Sequence, residues 1–214
     1  MLTPPVGASL MPTVLQTPDE ETLEEVIADR RQRGLDRFDE VWEGTYVVMN
    51  SPNWVHQELS SFLLVALTAV LDRDAGDRVV ADFNVTDRED DYRQNYRIPD
   101  LSVVLAAGSA TIRDSSILGG PDLAIEIVSP RDRSREKIDF YAAIGVRELL
   151  FIDRDPWALD LWQLEGRTLK RRQRVDVGEP PLQTVTVPLD WSLAEGSQRP
   201  EVVLRSADGR SWRA

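Results

Sequence analysis

Between Leu123 and Ile152 the chain reads as strand, helix, strand, and that order leaves few folds open. Leu123-Ala124-Ile125-Glu126-Ile127-Val128 has strand length and apolar residues at both parities, the mark of a strand buried on both faces of a sheet. Ser129-Pro130 ends the run and offers an N-cap and a first-turn proline to a helix. That helix carries Ile138, Tyr141, Ala142 and Ile144 on one stripe and stops at Gly145. Glu148 to Ile152 is the next strand. Strands joined through a helix run parallel, and strand twist makes the crossover right-handed. The expected fold class is therefore α/β, with a mixed central sheet flanked by helices.

The rest of the chain fits that frame. Residues 1–18 carry Pro4, Pro5, Pro12 and Pro18 and little periodicity, so an irregular N-terminal arm is expected there. Thr17 or Asp19 then caps a surface helix that reaches about Arg33 and ends at Gly34. An N-terminal β-hairpin is expected from Phe38 to Met49 around Glu43-Gly44. A long helix from about Asn53 to Asp72 follows, its apolar stripe made by Val55, Leu59, Phe62, Leu63, Ala66 and Val70. Arg78–Val85 and Ile98–Leu105 read as strands, and Thr111–Gly120 as a loop. A C-terminal hairpin joins 158–164 to 168–175 around Glu165-Gly166, and short strands are expected at 183–187 and 201–205. With 214 residues, a single domain over 19–214 is expected.

Composition removes whole classes of chemistry. The absence of cysteine excludes disulfides, thiolate catalysis and cysteine-held metals, so any metal must bind oxygen or histidine. No apolar run approaches the length of a membrane span, and a cytoplasmic protein is expected. A net charge of −12 opposes non-specific coating of nucleic acid. Positive charge is nevertheless clustered, at Arg131, Arg133, Arg135 and Lys137 and again at Lys170, Arg171, Arg172 and Arg174. These clusters fit a local basic groove, or a solvated helix face and a charged edge strand.

Glu126 is the residue that asks for an explanation. An isolated ionised carboxylate in so apolar a strand costs several kcal/mol, so it needs a partner, a proton or a cation. Asp100 stands at the start of the apolar strand Leu101–Leu105, in phase with Ser102. Lys137 falls one turn before Tyr141, at the edge of the inward stripe of the following helix. Two carboxylates and a lysine brought together would hold Mg²⁺ or Mn²⁺ and steady a developing charge on phosphate. The same three residues also suit a purely structural salt bridge.

The residues Arg97-Ile98-Pro99-Asp100-Leu101-Ser102-Val103-Val104, then Pro121-Asp122-Leu123-Ala124-Ile125-Glu126-Ile127-Val128-Ser129-Pro130, then Lys137, Tyr141, Gly145-Val146 and Asp153, resemble the Uma family of restriction-endonuclease-like proteins. The resemblance runs from about Phe38 to Val187. It implies the PD-(D/E)XK nuclease fold, with Pro99-Asp100 as the PD element and Glu126 as the second acid. It implies a metal-dependent endonuclease acting on DNA, with Mg²⁺ or Mn²⁺ on Asp100 and Glu126 and the attacking water oriented by Lys137. One departure stands out: two residues after Glu126 comes Val128, not lysine, so Lys137 must supply the ammonium from the following helix. Glu43, or with less support Glu40, and the lone histidine His56 also resemble family positions, as a further acid near the metal and a contact to substrate or metal ligand. For His56 a partly buried histidine satisfied by backbone is the simpler reading. Cutting both strands of a duplex takes two sites, which makes a homodimer the expected assembly. The rival expectation is an inactive binding or assembly module on the same fold, in which the acids and lysine form only a buried network.

Overall fold

The computed structural model describes residues 13–14, 20–129 and 132–214. The expected irregular arm, the caps at Thr17 or Asp19, and the first-turn Pro130 lie outside the described residues, apart from Thr13–Val14. The order is β1 (Thr13–Val14), α1 (Glu20–Gln32), β2 (Glu40–Trp42), β3 (Thr45–Val48), α2 (Trp54–Val70), β4 (Arg78–Ala81), β5 (Val85–Thr86), β6 (Tyr96–Arg97), β7 (Leu101–Val104), β8 (Thr111–Ile112), β9 (Ile117–Leu118) and β10 (Leu123–Val128). Then come α3 (Ile138–Ile144), β11 (Glu148–Arg154), β12 (Trp157–Glu165), β13 (Thr168–Asp176), β14 (Leu182–Thr184), β15 (Leu189–Ala194), β16 (Glu201–Ser206) and β17 (Ser211–Arg213).

The central sheet is mixed, in the order β13-β12-β11-β10-β7-β4. β10 and β11 pair in parallel, with Glu126 opposite Phe151 and Val128 opposite Asp153, as the strand–helix–strand reading requires. Their neighbours β7 and β12 run antiparallel to them. Alternation along β10 divides its side chains between two layers. Leu123, Ile125 and Ile127 join Leu59, Leu63 and Leu67 of α2 in the main core, while Ala124 packs with Phe140, Tyr141 and Phe151 on the side of α3. Glu126 shares the parity of Ala124, so its carboxylate faces the helix that carries Lys137 and Tyr141. Each leucine so buried contributes about 1.5–3 kcal/mol relative to exposure.

Several elements differ from the sequence reading. The C-terminal hairpin is the edge of the central sheet itself, made by β12 and β13. Beyond it β14 to β17 form a separate four-stranded antiparallel sheet whose Trp191, Leu193 and Leu204 extend the main core. A third sheet collects the N-terminal hairpin with β1, β5, β6, β8 and β9, so Thr111–Gly120 is not all loop. The expected strand Arg78–Val85 breaks at Asp82, whose φ is 50°. The helix before Gly145 also starts late, with a 3₁₀ turn over Ser134–Lys137 leading into α3. Asp132 accepts hydrogen bonds from the Ser129 and Ser134 backbone N–H groups, and the 3₁₀ turn begins at Ser134, so Ser129 does not cap it.

Candidate active site

Glu126 and Lys137 are both buried, and the way they are satisfied defines the site. The Lys137 ammonium lies 3.1 and 3.3 Å from the two Glu126 oxygens. It also lies 2.8 Å from Glu40 Oε1. Tyr141, one turn further along, donates its hydroxyl to Glu126 Oε1 at 2.6 Å. The 3₁₀ turn and the start of α3 put both donors on one face, above the even-numbered side of β10. Glu40 is held in turn by the Ile98 backbone N–H at 2.8 Å and by the Trp42 indole at 2.6 Å.

Asp100 precedes β7, whose Leu101 pairs with Ile125, and so comes beside the end of β10. Its Oδ2 accepts the Ile127 backbone N–H at 2.5 Å. Its Oδ1 lies 3.1 Å from His56 Nε2. His56 is positioned by the first turn of α2, where the Asn53 side chain caps the His56 backbone N–H at 3.0 Å. The other ring nitrogen, Nδ1, is buried with no hydrogen-bond partner among the described residues. Asp82 is tied in by its own backbone N–H, which donates to the Asp100 carbonyl at 3.2 Å.

These side chains line one cleft at the end of the central sheet, with a cavity volume of about 100 Å³. Glu40, Asp82, Asp100, Glu126 and Asp132 all contribute to its wall, and among the described residues Lys137 is the only lysine or arginine that lines it. The surplus of acid shows in the titration behaviour. Burial pushes the Glu126 carboxyl up to about 8; the Lys137 ammonium opposes the rise, and the Asp100 and Glu40 carboxylates add to it. Burial works against the Lys137 ammonium, but Glu126 and Glu40 outweigh it and hold the group above its ordinary range. Asp82 is raised by burial and by Asp100.

Of the residues singled out from sequence, the structure brings Asp100, Glu126, Lys137 and His56 to this cleft. It does not bring Glu43 there. Glu43 sits in the hairpin turn with φ 47°, mostly exposed, and meets Arg97 at 3.3 Å. Glu40, the less favoured alternative, occupies the buried position instead, because its strand parity aims it at Lys137. Tyr141 stood in the inward stripe and in the family pattern, but with no role assigned; its hydroxyl contact depends on the register of α3 over β10. Asp82 had no local signal at all.

The two basic clusters also prove to be neighbours. Arg135 reaches Asp153 at 3.0 Å and Asp160 at 2.9 Å. Arg171 and Arg174 come to the same acids from β13, at 3.0 Å from Asp160 and 2.7 Å from Asp153. A register shift at Leu161/Trp162 lets these two arginines share one face of the sheet. Asp153, one of the residues of the family pattern, is an acid of this network.

The profile of the Uma2 family, described as "putative restriction endonuclease", matches residues 23–196. No curated protein matches the chain. Among solved structures, a protein of Anabaena variabilis ATCC 29413 described as a "putative nuclease belonging to DUF820" is similar, at 19% identity and a TM-score of 0.53. The likeness covers 69% of this chain and 80% of that one, and it concerns the fold, a nuclease-like mixed α/β architecture. A family match that spans residues 23–196, most of the chain, places the protein in the Uma2 family of putative restriction endonucleases.

Proposed function

We propose that the chain is a metal-dependent endonuclease that hydrolyses phosphodiester bonds in DNA, with Asp100 and Glu126 holding Mg²⁺ or Mn²⁺ and Lys137 orienting the attacking water. One observation carries this reading: Asp100, Glu126 and Lys137 come from three separate elements and line one cleft that is rich in carboxylates and poor in cations. The donor set fits the ion. Among the described residues no three acids or histidines converge to cage a metal. Mg²⁺ does not ask for that, since it keeps several waters and takes one or two carboxylates together with substrate phosphate. When bound, the ion would polarise the phosphate and ease the loss of a proton from water.

The chain's own residues do the rest. His56 and the Ile127 N–H fix the two oxygens of Asp100, and Tyr141 fixes one oxygen of Glu126, so neither carboxylate has to reorganise. Glu40 anchors the Lys137 ammonium from the far side and keeps it charged beside the carboxylates. Tethered in this way, the ammonium can orient a water and take up charge developing on phosphate. The second reading, an inactive binding module, draws on the same contacts, because Lys137 between Glu40 and Glu126 is a complete buried ion network without a substrate.

Cleavage assays on supercoiled and single-stranded DNA with Mg²⁺ or Mn²⁺ separate the two. Wild type is expected to cut. Asp100→Asn and Lys137→Ala, assayed where each is folded, are expected to lose at least ~10²-fold, the scale of one positioned catalytic group. A wild-type protein inert on every DNA substrate, or a Lys137→Ala variant with normal cleavage, would contradict the roles assigned here.

A further inference from the structure

The acids of the cleft lie at one end of the central sheet, and the next strand along that end carries a cation in an unusual setting. Arg154 is the last residue of β11, beside the end of β10, and is half-buried. Its guanidinium donates to the Val128 carbonyl at 3.3 Å, to Asn53 Oδ1 at 2.9 Å and to Ser129 Oγ. All three acceptors are neutral. Among the described residues no carboxylate lies within ion-pairing distance of it, whereas Arg97, Arg133, Arg135 and Arg174 each rest on an acid. The charged groups that act on it from farther off are Asp100, Asp132 and the cation Arg199. Burial lowers its pKa, as expected of a cation lacking a contact anion.

A guanidinium has five N–H donors, and the three contacts leave two of them without an acceptor among the described residues. Ser129, to which it is fastened, lines the cleft itself. The end of the sheet is therefore polarised, with Asp82 just after β4, Asp100 just before β7 and Glu126 in β10 on one side, and Arg154 at the end of β11 on the other. A half-buried cation held by neutral acceptors, beside a cleft proposed to cleave phosphodiesters, has a natural counter-ion in a phosphate oxygen.

We propose that Arg154 is a phosphate-binding residue that takes a phosphate of the substrate strand adjacent to the one cleaved, and so sets the direction in which the strand crosses the cleft. This rests on the nuclease reading above. A structural alternative exists on the same contacts, since Arg154 also ties the start of α2 to the end of β10.

The test is binding without turnover. Fluorescence anisotropy in EDTA would follow 5′-labelled single-stranded and duplex DNA against wild type, Arg154→Gln and Arg154→Lys over a range of salt, with thermal melts of each variant. Arg154→Gln is expected to bind about tenfold more weakly at low salt, with a salt slope reduced by about one ion, while Arg154→Lys keeps the slope. Wild-type binding with an unchanged slope and affinity in Arg154→Gln would overturn the proposal, and a drop in melting temperature alone would assign Arg154 to fastening. Should no DNA bind wild type, pyrophosphate supplies the second arm. Stabilisation of wild type but not of Arg154→Gln by pyrophosphate would keep the phosphate site and reject the nuclease reading, and no stabilisation of either would reject both.

Discussion

At Lys137 the cost of the site and its use meet. An ammonium with two buried carboxylate partners is strongly held, and its removal leaves Glu40 and Glu126 facing each other without a cation. Lys137→Ala is expected to cost on the order of 3–5 kcal/mol in urea unfolding at pH 8. A cost below ~1 kcal/mol would mean that water replaces the ammonium freely. Glu126 adds a pH dependence whose sign follows from its direction of shift. A carboxyl with a folded pKa of about 8, above its unfolded value, binds more protons in the folded state between the ordinary carboxylate range and pH 8. Stability of the metal-free protein should fall as pH rises through that window and level off above it. Glu126→Gln should flatten the slope, which denaturation at pH 5.5 and pH 8 in EDTA would reveal; a slope equal in both proteins would assign the titration elsewhere.

Among the elements, the segment after β9 approaches the end of α3 closely, which the sequence did not announce. The Gly120 N–H donates to the Ile144 carbonyl at 2.7 Å. A methyl group at Gly120 would fall 2.2 Å from the Val146 nitrogen and 2.3 Å from the Gly145 carbonyl carbon, both backbone atoms that cannot rotate away. Gly166 in the β12–β13 turn has instead a positive φ, 65°, and open space around it. Gly120→Ala is thus expected to lose about 1–3 kcal/mol from overpacking, and Gly166→Ala about 1 kcal/mol from backbone strain alone. Thermal melts would rank them, and an equal effect would show that α3 shifts to admit the methyl. The elements that carried a long period, α2 with its leucine stripe and β10 with apolar residues on both parities, were legible because their burial repeats over many residues. The two-residue strands β5, β8 and β9 were not, since nothing that short has a period; they exist because the hairpin β2–β3 and β6 offer edges to pair with.

For the molecule as a whole, the surplus of carboxylate at one end of the sheet is expected to make a divalent metal a stabiliser. A ligand that binds only the folded state at a hundred times its dissociation constant adds about 2.7 kcal/mol, and Mg²⁺ or Mn²⁺ should raise the melting temperature accordingly. Asp100→Asn should remove most of that rise, and an identical rise in the variant would place the ion elsewhere. The sequence by itself determined the parallel β10–α3–β11 unit, the helix α2, and the two carboxylates Asp100 and Glu126 of the cleft, because a carboxylate in or beside an apolar strand is anomalous wherever the strand is placed; Lys137 and His56 were singled out with the help of the family resemblance. It also determined that any such site would use oxygen and nitrogen donors, since there is no cysteine. Only the tertiary structure decided that Glu40 and not Glu43 reaches Lys137, that Tyr141 turns its hydroxyl to Glu126, and that Asp82 and Arg154 flank the acids. Those outcomes depend on which strand ends fall side by side and on the register of α3 over the sheet, and pairing between residues 15 to 101 positions apart leaves no trace in local periodicity.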